Sequence, residues 1–74
     1  MDYTAEQQVL IRRINEVSAR IDHLMMEHRM VHNAAGKDLI DAVTALQIAI
    51  QQSNEIGVLF TQHGDLFREF LDTL

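Results

Sequence analysis

LIRRINEVSARIDHLMMEHRMV, residues 10–31, sets Leu10, Ile14, Val17, Ile21, Leu24, His28 and Val31 at alternating spacings of four and three. That spacing returns to one face of an α-helix, so these side chains form a stripe that a partner helix covers. Six of the seven are aliphatic. The other, His28, puts an imidazole in a seam where a polar residue often fixes register or oligomeric state.

Upstream, Thr4 and Gln7 have the spacing of a capping box, which opens a helix. A helix over about 4–32 is roughly 42 Å long. Downstream, HNAAGKD (residues 32–38) reads as the break. Asn33 or Gly36 takes the left-handed conformation that ends a helix, the turn spans 33–37, and Asp38 caps the next helix.

The same arithmetic then resumes. Leu39, Val43, Leu46, Ile50, Ser53, Gly57, Phe60, Gly64, Phe67, Leu71 and Leu74 are again spaced four and three. This predicts a second helix over about 38–63. Gly64–Asp65 reads as a stop and restart, giving a short third helix over about 65–73. Between Ala42 and Gly64 the only formally charged side chain is Glu55, and Ala42, Ala45, Ala49 and Ile56 add an apolar flank beside the seam. Such a face is wider than one partner helix covers. The expected fold class is therefore all-α: an antiparallel helical hairpin with a short C-terminal third helix, residues 1–74 as one helical domain, assembling as a homo-oligomeric helical bundle. Val43, Leu46, Ile50, Gly57 and Phe60 are the expected oligomer interface.

Composition agrees with long helices and narrows the chemistry. The 74 residues contain no proline, no cysteine and three glycines. A chain this short gains much from partners. Without cysteine there is neither a disulfide framework nor a thiolate zinc site. The start MDYTAEQQ has no basic or apolar leader pattern, and no run of 18 apolar residues occurs. The expectation is a cytoplasmic protein without a membrane partner. The net charge of -5 makes the chain a poor binder of duplex nucleic acid, whose non-specific affinity comes from phosphate neutralisation.

No phosphate loop, nucleophile constellation or paired-carboxylate arrangement is present, so neither an enzyme nor a cofactor is expected. His28 and His32 are spaced to share a metal, but two imidazoles without a third ligand read as structural, and no metal site is expected. Met25, Met26 and Met30 read as core filler or as an adaptable groove. Phe60, Phe67 and Phe70 read as core. Arg13 and Arg20 lie seven apart on one edge of the first seam, with Arg12 beside the former. They read either as ion pairs to Glu6 and Glu27 or as a clamp for an anion, since guanidinium forks match phosphate. Tyr3 offers a ring for stacking on a base or an aromatic lid on the bundle end.

LIRRINEVSARIDHLM, followed by TALQ at residues 44–47, resembles a phage family of small helical hairpins that act as sponges for the cyclic nucleotide signals of bacterial anti-phage defence. The resemblance implies a compact oligomer with nucleotide pockets between subunits. It implies that Tyr3 matches the tyrosine preceding the family's first long helix. The family's phosphate-meeting lysine falls on Asn15, so Arg12 or Arg13 would take that role. Two functions follow as expectations. One is a non-enzymatic oligomeric sponge that binds through Tyr3, Arg12, Arg13 and Arg20. The other is a small acidic protein-interaction module, an inhibitor, antitoxin-like protein or adaptor acting on a host protein.

Overall fold

A computed structural model describes residues 2–74. Two helices, α1 (Ala5–Gly36) and α2 (Ala42–Asp72), form an antiparallel hairpin of 52 × 18 × 11 Å. No strand occurs among the described residues, and no helix there is long and apolar enough to cross a membrane.

The capping box at the start of α1 is formed. The Thr4 hydroxyl accepts the Gln7 N–H at 3.1 Å, and Gln7 Oε1 accepts the Thr4 N–H at 3.0 Å. The end of α1 differs from expectation. Asn33 and Gly36 stay helical, and the left-handed residue is Asp38, with φ 56°. The Leu39 N–H returns to the Ala34 carbonyl at 2.9 Å and the Asp38 N–H to that of Ala35 at 3.1 Å. These two bonds make a Schellman ending, and aspartate is among the few side chains that tolerate its left-handed position. Asp38 is thereby consumed in stopping α1, and the capping role passes to Asp41. Its carboxylate accepts the Thr44 N–H and the Thr44 hydroxyl, each at 2.8 Å. Both bonds favour the charged form and hold the Asp41 carboxyl below the usual carboxylate range, the backbone bond most strongly.

The expected third helix does not form, because α2 runs unbroken through Gly64 to Asp72. None of the described glycines has a positive φ. A helical glycine costs about 1 kcal/mol relative to alanine, whereas burying one large apolar side chain contributes about 1.5–3 kcal/mol, and Leu66 and Phe70 just beyond Gly64 both pack on the core.

The face that α2 turns to α1 also corrects the sequence reading. Ala45, Gln52, Ile56, Leu59, His63, Leu66, Phe70 and Thr73 are buried or half-buried. With half-buried Ala49 they follow the same four-three alternation, one residue ahead of the stripe from Leu46 to Leu74. The alanines that read as a flank belong to the inner seam, and the stripe that read as the seam lies about 100° round the helix. Its large members, Leu39, Val43, Leu46, Ile50, Phe60, Phe67, Leu71 and Leu74, are all exposed.

Two hydrogen-bonded residue pairs fix the register of the hairpin. The Gln7 carboxamide nitrogen donates to the Thr73 hydroxyl at 3.1 Å and to its carbonyl at 3.3 Å. His28 Nδ1 bonds Gln52 Oε1 at 3.0 Å. The same register places Ile21 opposite Leu59 and Leu24 opposite Ile56. Toward the termini Leu10, Ile14 and Leu66 form a buried cluster with Val17 and Phe70 against it, and Ile21 and Leu24 are buried further along α1. Toward the turn the inner seam of α2 is alanine-rich, with Ala45 buried. The phenylalanines thus divide: Phe70 packs on the core, whereas Phe60 and Phe67 stay about half exposed. Met25, Met26 and Met30 are exposed as well, not core.

Candidate functional site

The hairpin has two unlike flanks, divided by its inner seam. On one flank, Arg13 sits in an open cleft of about 300 Å³ with Glu16, Gln62, Asp65 and Glu69 over Val17 and Leu66. One turn pair further on, Arg20 donates to Glu55 at 3.0 Å, both side chains about half exposed. An exposed pair of this kind contributes at most about 1 kcal/mol. Its orienting effect is clearer: Glu55, the one charge in the middle of α2, is held on this flank.

On the other flank, Tyr3 packs edge-on to Phe70 with ring centroids 6.0 Å apart. It borders a groove of about 340 Å³ formed with Ile11, Ile14, Asn15 and Phe67. Further along the same flank, Met25, His28, Arg29, His32 and Ile56 line a second shallow groove. Val31, Ala35, Ala45, Leu46 and Ala49 line a third, again with His32. The outer seam of α2 runs beside all three.

The proposed ligand residues are therefore not brought together in one chain. Tyr3 lies on the apolar flank. Arg13 and Arg20 lie on the charged one, and Arg12 is exposed and borders neither cleft. Of the arginine edge, Arg20 is ion-paired, to Glu55 and not to Glu6 or Glu27, while Arg13 shares its cleft with Glu16, Asp65 and Glu69 without a direct ion pair among the described residues. Glu27 pairs instead with His23 on its own helix at 2.9 Å when that imidazole is protonated. A phosphate entering the Arg13 cleft would meet three carboxylates around one guanidinium, a net repulsive setting.

His28 and His32 meet edge-to-face, with centroids 4.9 Å apart. Among the described residues no group of three side chains is placed to hold a metal ion. His28 is satisfied by Gln52, a residue the sequence reading missed because it assigned Ser53 to the seam. The signal was present: Gln52 stands three residues after Ala49 and four before Ile56, so it falls on the alanine stripe. The five interface candidates, Val43, Leu46, Ile50, Gly57 and Phe60, all lie exposed on the outer face of α2.

Comparisons with protein-family models, with curated proteins and with solved structures find no match to this chain.

Proposed function

We propose that this chain is a non-catalytic binding protein that works as a homo-oligomer, with the outer face of α2 as its interaction surface. One observation carries the reading: a second heptad stripe, free of formal charge and as long as the helix, is left exposed after the hairpin has packed. Soluble chains rarely leave such a stripe uncovered. The protein-interaction class fits this surface directly, since a helix or helical bundle is what a heptad stripe takes.

The cyclic nucleotide sponge is the second reading, and the Tyr3 groove is the observation that favours it. Tyr3, Phe67 and Phe70 give it aromatic edges suited to a base. The cation must come from elsewhere than Arg13, so this reading also depends on assembly. A phage anti-defence role and a cytoplasmic setting belong to the same proposal.

Native mass spectrometry of protein taken from cells that make cyclic nucleotides tests both readings at once. The expected result is at least a dimer at micromolar concentration. A retained nucleotide selects the sponge, and an empty oligomer selects the protein-interaction module. A folded monomer of 8.5 kDa overturns the proposal. Ile50→Glu sharpens the test. Ile50 is 54% exposed in the single hairpin, so the charge is tolerated there but is costly once buried unpaired. The variant should keep its helicity by circular dichroism and sediment as a monomer.

A further inference from the structure

We infer that the occupant of the outer seam is a second copy of this chain, lying antiparallel, with the two-fold axis of the pair at Gly57. The inference rests on the self-association reading above and adds the geometry of the contact.

The order of large and small side chains carries it. The seam has eleven members from Leu39 to Leu74, and Gly57 is the middle one. An antiparallel copy turned about Gly57 sets Gly57 against Gly57. One step out, Ser53 meets Phe60. The next step sets Ile50 against Gly64. Beyond these, Leu46 meets Phe67 and Val43 meets Leu71. Each small side chain away from the axis thus faces a large one, which is how facing layers reach native density without voids. A parallel pair in register does the reverse. It sets Ser53 on Ser53 and Gly64 on Gly64, leaving holes between layers crowded by Phe60 on Phe60 and Phe67 on Phe67. A foreign helix gives no reason for this mirror order within one stripe, whereas an identical chain does.

The glycines supply an independent observation. A side chain built on Gly57 or Gly64 would meet nothing within 4 Å, and neither residue has a positive φ. Neither a turn nor a close approach inside the hairpin therefore explains them, and each weakens the helix by about 1 kcal/mol relative to alanine. Close approach of a second helix does explain them.

Area and charge agree. Eight large apolar side chains of the seam are each at least 45% exposed. At roughly 100 Å² apiece they give about 800 Å² per chain, the size of a standard stable interface. The acidic chain also keeps Glu16, Glu55, Asp65 and Glu69 on the opposite flank. Two copies meeting through the seam leave those carboxylates apart.

The chain has no cysteine, so single introduced cysteines report directly on the contact. On mild oxidation, Gly57→Cys alone should convert most of the chain to a covalent dimer. Leu46→Cys mixed with Phe67→Cys should give the mixed dimer at several-fold excess over either self-dimer. A second variant avoids dependence on thiol geometry. Gly57 is exposed and a Cβ there meets nothing within 4 Å in the single chain, so Gly57→Leu should retain helicity while dissociating the pair. Self-dimers of Leu46→Cys in excess would show a parallel pair and overturn the inference. So would an oligomer that persists in Gly57→Leu and yields no Gly57→Cys dimer, although self-association itself would stand. A wild-type monomer overturns both.

Discussion

Replacing Leu66 and its neighbour Phe67 separately by alanine distinguishes the two faces of α2 more sharply than any other pair of changes. Leu66 is 6% exposed and packs with Leu10 and Ile14, whereas Phe67 is 45% exposed and packs on the outer side. A buried Leu→Ala change costs about 2–5 kcal/mol, the lower half applying where the surroundings can collapse. This core is one layer between two helices, so about 2–3 kcal/mol is expected for Leu66→Ala. A domain of this length has on the order of 4–11 kcal/mol to lose. Phe67→Ala removes a half-buried ring and should cost the isolated hairpin about 1 kcal/mol. Concentration separates the two further. Leu66→Ala leaves the outer seam intact, so its Tm should rise with protein concentration in parallel with that of the wild type. Phe67→Ala damages the seam, so its deficit should grow as concentration rises. The assay is thermal and urea denaturation by circular dichroism across a hundredfold range of concentration. A larger concentration-independent cost for Phe67→Ala than for Leu66→Ala would refute the assignment of inner and outer faces.

Two further predictions concern polar contacts. His28→Leu should destabilise by roughly 1 kcal/mol because it strands the half-buried Gln52 amide, and adding Gln52→Leu should recover most of the loss; strictly additive losses would mean that the 3.0 Å bond has no energetic role. Asp41 has its carboxyl lowered below the usual range by the Thr44 N–H and hydroxyl. Its contribution to stability is thus complete above the unfolded-state pKa and is lost as pH falls through the folded one. Asp41→Ala should lower Tm at neutral pH, and the gap to wild type should narrow below about pH 4; a gap that widens on acidification would contradict the cap.

The first helix was legible in the sequence because only one of its faces is apolar at heptad spacing. Leu10, Ile14, Ile21 and Leu24 are buried as the pattern requires. The second helix was legible as a helix but not in its rotation. Two stripes of four-three spacing run side by side on it, and the outer one is built of larger side chains. Large aliphatic and aromatic residues at Leu46, Ile50, Phe60 and Phe67 outweigh the small Ala45 and Ala49, so the stripe with more apolar mass reads as the core. Packing chose the other, because Gln7–Thr73 and His28–Gln52 satisfy their polar groups only when that stripe faces inward. The turn was misplaced for a related reason. Glycine outranks aspartate in left-handed preference, but Gly36 precedes the position where the pairing of the helices ends the first one.

The same rotation rearranges the candidate ligand site. With the inner seam as observed, Arg13 and Arg20 fall beside Glu16, Glu55, Asp65 and Glu69. Their positive charge lies among at least as many carboxylates, which disfavours an incoming anion there. Tyr3 falls on the flank of the outer seam, where the one arginine that lines a groove is Arg29, beside His32 toward the far end of α1; Arg12, next to Ile11 in the chain, is exposed and lines none of the grooves. Tyr3 and Arg29 are separated in sequence by most of one long helix, roughly 39 Å at 1.5 Å per residue. No small nucleotide spans that distance on one chain. An antiparallel partner reverses the direction of the helices, so it brings the Leu46 region of one copy, and with it the His32 side of the grooves, to the Phe67 region of the other. An aromatic edge and a cationic edge that are remote within the monomer then lie at the same level of the pair. In the proposed pair, binding of an anionic base-bearing ligand on this flank would depend on the second copy, and Gly57→Leu, at a position that lines neither the Tyr3 groove nor the Arg29 groove, should abolish both together.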